Sequence, residues 1–142
     1  MLYVNQVYIG GVIMLSLHNV MRANAMSCMV FGGVFALLPG QVAVFLGGAS
    51  PAPRVYILAL GVMLIINGIH LVWASRRARP KKQLILYFSL GDFLWVIASG
   101  GLMLLGVWIT SPAGVIATSA VAVMVGLFGI LQLTGIKAVN AV

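Results

Sequence analysis

One acidic residue and one cysteine are all that a chain of 142 residues contains of either kind. The lone cysteine, Cys28, excludes an intrachain disulfide and any metal site built on paired cysteines. With no second acid beside Asp92, no nucleophile–base–orienter triad can be assembled, and nothing favours hydrolysis or phosphoryl transfer. The chain therefore reads as a non-enzyme. One histidine beside one aspartate is too few for a metal site, which takes three or four ligands, and no cofactor is implied. Charge of either sign is scarce: 6% of residues, against about 25% in soluble domains. Hydrophobic residues make up 63%, and the mean hydropathy is +1.17. A soluble fold of this length could not cover so much apolar surface, so lipid has to. The net charge of +7 is not a nucleic-acid signal, because five of the eight cations crowd into one short segment between apolar runs. There Arg76, Arg77, Arg79, Lys81 and Lys82 act as a topology determinant and as candidate contacts for anionic lipid headgroups.

The apolar runs predict an all-α integral membrane protein, a bundle of four transmembrane helices. The spans fall at about 24–46, 55–74, 84–108 and 114–136, each near the length needed for a hydrocarbon core of about 30 Å. Pro39, followed by Gly40 and Gln41, predicts a kink or break in the outer half of the first span. The segment GGASPAPR, residues 47–54, is turn chemistry, Pro80 separates the second and third spans, and Thr110, Ser111 and Pro112 turn the chain into the fourth. Residues 1–21 stand apart from the domain at 22–142. Their apolar stretch, Val7 to Leu17, is too short to span, and they lack the basic start and small-residue cleavage site of a signal peptide. They are expected to form a short interfacial helix, an extension or a poorly inserted extra span.

If the basic segment at 75–83 faces the cytoplasm, seven cations lie inside and only Arg54 outside. Both termini are then cytoplasmic under the positive-inside rule, in what reads as a bacterial cytoplasmic membrane. A weak internal repeat accompanies this layout. Ser50-Pro51-Ala52 before the second span matches Ser111-Pro112-Ala113 before the fourth, and Gly68-Ile69 matches Gly129-Ile130 at the same offset. Two duplicated helical hairpins, related by an axis along the membrane normal, are the expectation.

Asp92 is the feature around which the bundle should be arranged. A carboxyl at mid-span costs roughly 2.5–3.5 kcal/mol on insertion scales, and such groups face a bundle interior or a wet cavity. At about 1.5 Å per residue, Asp92 lies roughly 15 Å from Lys82, Asn67 roughly 13 Å from Arg76, and His70 roughly one turn nearer the basic segment. The second and third spans, joined by a short loop, are expected to be antiparallel neighbours. Asp92 would then meet Asn67 or His70, with Ser89 one turn away and Trp95 walling a pocket. Asn24, Ser27 and Cys28 on the first span and Gln132 on the fourth make the same half of the interior polar. Trp73 and Trp108 suit the aromatic belts of the two boundaries. Gly32, Gly33, Gly126 and Gly129 suit close helix contacts.

In size and number of spans the chain resembles the small multidrug-resistance exporters, which carry one essential membrane acid and work as dimers. Here the acid lies in the third span rather than the first, and that function is not carried over. The layout also resembles small four-helix bacterial membrane proteins with accessory roles beside redox enzymes. The expected function is a non-enzymatic accessory or assembly subunit, working as a homo-oligomer or within a larger membrane complex. One alternative is a proton-coupled small-solute or ion transporter using Asp92 with His70 and Asn67. The other is a lipid- or quinone-binding redox accessory subunit.

Overall fold

A computed structural model describes residues 8–9, 12–13 and 16–140. Two-residue strands β1 (Tyr8–Ile9) and β2 (Val12–Ile13) pair antiparallel, with Tyr8 opposite Ile13 and Ile9 opposite Val12. Five helices follow: α1 (Leu17–Leu37), α2 (Pro39–Gly47), α3 (Arg54–Ser75), α4 (Lys82–Leu104) and α5 (Pro112–Asn140). The expected interfacial helix, extension or extra span at residues 1–21 falls largely outside the described residues. Residues 8–9 and 12–13 are extended, α1 already begins at Leu17, and the rest of 1–15 lies outside the described residues.

Local chemistry sets the boundaries. Ser16 is extended (φ −60°, ψ 146°) and its hydroxyl accepts from the Asn19 N–H, the usual way to cap a helix start. At the other end of α1, Leu38 leaves the helical region (φ −126°, ψ 45°) because Pro39 crowds the residue before it. Proline then serves as the first residue of α2, where its missing N–H costs nothing. The first span is thus two helices, broken where the sequence placed a kink. Gly48 closes α2 with φ +56°, a conformation that favours glycine. The Ser111 hydroxyl accepts from the Gly114 N–H at 2.8 Å and caps α5, with Pro112 again in the first position.

Four helices, 21 to 25 residues over their apolar lengths, are long and apolar enough to cross a bilayer. Their outer faces are greasy. Leu37, Ile66, Leu94, Ile97 and Ile116 are each more than half exposed, a surface that suits a nonpolar surrounding and suggests a multi-pass membrane protein.

The helices pack as two hairpins. α1 lies along α3 and α4 along α5, the hairpins meet through α1 and α5, and the backbones of α3 and α4 hardly approach one another. Small residues explain the first pairing. A Cβ on Gly32 would sit 2.8 Å from the Gly61 carbonyl oxygen, and one on Gly68 would sit 3.1 Å from the Ala25 oxygen. Gly33, by contrast, faces open space, so it makes no such contact. One core cluster, Met21, Ala25, Cys28, Leu71, Ala74 and Phe88, fills the end near the basic segment. Ala43, Ala52 and Ile57 form a smaller one at the opposite end. There the hairpins are also laced together by hydrogen bonds. The Thr110 hydroxyl donates to the Gly47 carbonyl at 2.6 Å, and the Thr110 and Ser111 N–H groups both reach the Leu46 carbonyl at 3.0 Å.

Candidate functional site

Asp92 sits ten residues into α4, 6% exposed. Its partners come from the two helices that flank it. The Asn24 amide on α1 donates to both carboxylate oxygens, at 3.1 Å to Oδ1 and 2.9 Å to Oδ2. The Gln132 amide on α5 donates to Oδ2 at 3.1 Å. Asn24 and Gln132 are themselves buried, 1% and 0% exposed. Gly129, one turn before Gln132, makes this reach possible: a Cβ there would stand 3.3 Å from the Asp92 Cβ and 3.1 Å from the Phe93 ring. A side chain at 129 would wedge α5 away from the acid.

The polar contacts continue to α3. The Cys28 thiol donates to the Asn24 Oδ1 at 3.7 Å, and the Asn67 amide donates to the Cys28 Sγ at 3.5 Å. Asn67, Cys28, Asn24, Asp92 and Gln132 therefore form one chain of polar groups through all four long helices. Three buried atoms nearby have no hydrogen-bond partner among the described residues: Ser89 Oγ, Trp95 Nε1 and Gln132 Oε1.

Because α3 and α4 stay apart, a groove of about 600 Å³ lies between them, with Asn24, Asn67, His70, Asp92 and Trp95 among its walls. The expected neighbour relation of the second and third spans is corrected by this arrangement. Asp92 bonds to Asn24 and Gln132, and neither Asn67 nor His70 reaches it among the described residues. His70 lies instead in an aromatic cluster with Trp73, Tyr87 and Phe88, at ring-centroid distances of 5.5, 5.8 and 5.0 Å. Ser89 is buried one turn from Asp92 and is not among the groove walls. Four of the five residues expected at the polar centre thus share one cavity, and the acid's actual ligands are two residues that had been placed only in the same half of the bundle.

Known families, curated proteins and solved structures offer no match to this chain. The chemistry of the site has to speak for itself.

A carboxylate offers about four lone-pair positions. Asn24 and Gln132 occupy three, two of them on Oδ2. Among the described residues, one position, on Oδ1, has no donor. No group of three or more metal-ligating side chains occurs among the described residues. Beyond Trp95 the interior turns apolar. A second cavity of about 430 Å³ is walled by Phe35, Phe45, Tyr56, Leu102 and Trp108 among others. The two cavities share Phe31, Leu60, Trp95 and Val121 as walls.

At the basic end, Arg76, Arg77, Arg79, Lys81 and Lys82 are all exposed. The Arg77 guanidinium lies 3.9 Å over the Trp73 ring, and His18 Nε2 donates to the Arg77 carbonyl at 2.9 Å. These two contacts tie the basic segment to α1 and to the aromatic cluster around His70. At the opposite end, Trp108 stacks on Tyr56 at 5.3 Å and holds a left-handed backbone, φ +61°.

Proposed function

We propose that this protein is a non-enzymatic accessory or assembly subunit of a membrane, with the Asp92 cluster as the knot that keeps its spans in register. The observation supporting this most directly is the carboxamide cradle. Asp92 commits most of its acceptor capacity to Asn24 and Gln132, and so ties α1, α4 and α5 together. A transport site needs a polar route to both faces. The half of the interior beyond Trp95 has walls that are almost wholly apolar, which favours the subunit reading over proton-coupled transport.

The basic segment lies on the cytoplasmic side in this reading, with both termini, in a bacterial cytoplasmic membrane. Its exposed cations contact anionic lipid headgroups. The two hairpins are duplicated copies whose interior positions have diverged.

The test is reconstitution in liposomes under an imposed proton gradient, followed with an entrapped pH dye. The subunit reading expects collapse of the gradient at the rate of empty liposomes, the same for wild type and Asp92→Asn. It also expects the tagged protein to leave mild detergent extracts within a larger assembly. A proton or solute flux that Asp92→Asn removes would overturn it in favour of transport.

A further inference from the structure

We propose that this protein holds one anionic glycerophospholipid, its phosphate on Arg77 and an acyl chain laid in the groove between α3 and α4. The inference rests on the reading that the basic segment meets anionic headgroups, and deepens it from a diffuse attraction to one site with two ends. It asks nothing of Asp92, whose oxygens are held by Asn24 and Gln132.

Charge fixes the first end. Arg76, Arg77, Arg79, Lys81 and Lys82 are all exposed, while Asp92, the one acidic side chain, is buried ten residues into α4. The counter-charge therefore comes from outside the chain. Arg77 is the cation best placed to hold it. Its guanidinium lies 3.9 Å over the Trp73 ring, and its carbonyl is tied to His18 Nε2 at 2.9 Å. A guanidinium stacked by its face keeps its N–H edge free, and that edge matches a phosphate through two parallel hydrogen bonds.

Position joins this end to the groove. The basic segment is the connection between α3 and α4, and the groove lies between those same helices. Ring to ring, Trp73 stands 5.5 Å from His70, and His70 stands 5.8 Å from Tyr87. His70 and Tyr87 both wall the groove. An imidazole and a phenol lying between the cations and the apolar interior offer hydrogen bonds to ester oxygens. A lipid presents phosphate, ester and chain in that same order.

Shape gives the second end. From Tyr87 to Ala98 the α4 wall is roughly 16 Å long at about 1.5 Å per residue. Half of a hydrocarbon core of about 30 Å is about 15 Å, so the groove is one leaflet deep. Ile66, Leu90 and Leu94, on its border, are each more than half exposed. It therefore opens sideways, and a chain enters without leaving the apolar phase. A compact anion fits only the first end, and a zwitterionic lipid lacks the net charge that the first end answers.

The test is native mass spectrometry of the full chain in a mild non-ionic detergent, titrated with dioleoyl phosphatidylglycerol or dioleoyl phosphatidylcholine. The expected result is one phosphatidylglycerol held about tenfold or more tighter than phosphatidylcholine, the effect of one charged hydrogen-bonded pair. Glycerol phosphate should not displace it. Arg77→Gln should remove the preference. Arg79→Gln takes the same charge from the same segment, but among the described residues only Arg77 is stacked on a ring, so Arg79→Gln should keep most of it. Gly91→Phe probes the groove. A side chain at 91 meets nothing within 4 Å and projects from a groove wall, so it fills the groove without disturbing the packing. Its helical circular dichroism should match wild type, and its affinity for phosphatidylglycerol should fall at least as far as in Arg77→Gln. The two arginines lie on an exposed segment, so their variants decide the charged end whether or not the plugged variant folds. Equal binding of the two lipids by wild type overturns the proposal together with the headgroup reading, and leaves the cations to an acidic partner. A preference that survives Arg77→Gln or a folded Gly91→Phe, falls equally in Arg79→Gln, or is abolished by glycerol phosphate overturns the site alone. None of these results bears on the proton-flux test.

Discussion

Replacing Asn24 with alanine removes the residue that holds Asp92 by both oxygens. The amide makes contacts at 3.1 and 2.9 Å, and Cys28 leans on the same side chain. Hydrogen bonds between membrane helices are worth about 0.6 kcal/mol on average and up to about 1.7. Two of them place the loss in Asn24→Ala between about 1 and about 3.5 kcal/mol, toward the upper part because the acid left behind is buried and loses its α1 partner. Asn67→Ala is the internal comparison: its one bond goes to a thiol sulfur, a weak acceptor, and its loss should stay under about 1 kcal/mol. Reversible unfolding in mixed micelles, titrated with a denaturing detergent and followed by circular dichroism, gives both values. A double-mutant cycle with Asp92→Asn should show coupling between 24 and 92 and none between 67 and 92. Equal losses for the two asparagines, or additivity of Asn24→Ala with Asp92→Asn, would refute the cradle as the knot of the bundle.

Other consequences can be checked in the same preparation. Gly32→Leu puts a side chain against the Gly61 carbonyl and Ile65 backbone and should cost about 1–3 kcal/mol by overpacking, whereas Gly33→Leu, facing open space, should leave the unfolding midpoint in place. At position 108 the left-handed backbone favours glycine, so Trp108→Gly should be more stable than Trp108→Ala by about 1 kcal/mol, although both lose the stack on Tyr56. For orientation, Cys28 is buried and gives little background, so Ala78→Cys and Ala49→Cys can be labelled with a membrane-impermeant maleimide in intact cells. Ala49→Cys should react from outside and Ala78→Cys only after lysis, and the reverse pattern would invert the topology.

The fold was legible where a residue type dictates a backbone event. The apolar runs marked the long helices, Pro39 marked the break at Leu38, and Ser111-Pro112 marked the start of α5. Asp92 as a polar centre, and the polar half around it, were also legible from the scarcity of such residues. Its partners were not. Sequence order put the second and third spans side by side, yet packing is decided by which faces admit close approach, and Gly32, Gly61 and Gly68 draw α3 onto α1 instead. Asn24 and Gln132 stood at the right end of their helices, but only helix rotation, set by contacts such as Gly129 against Phe93, aims them at the acid. The left-handed turn at Trp108 has no signal in a tryptophan, though Gly106 two residues earlier, with φ +63°, belongs to the same turn.

The cradle also imposes an order of events on a chain made from its N-terminus. Asn24 comes first, and α3, which packs most extensively on α1, comes next. The amide that holds Asp92 therefore precedes it in the chain by 68 residues. Gln132 comes forty residues later and closes the last contact. A chain cut between these two points would have the acid held from the α1 side only.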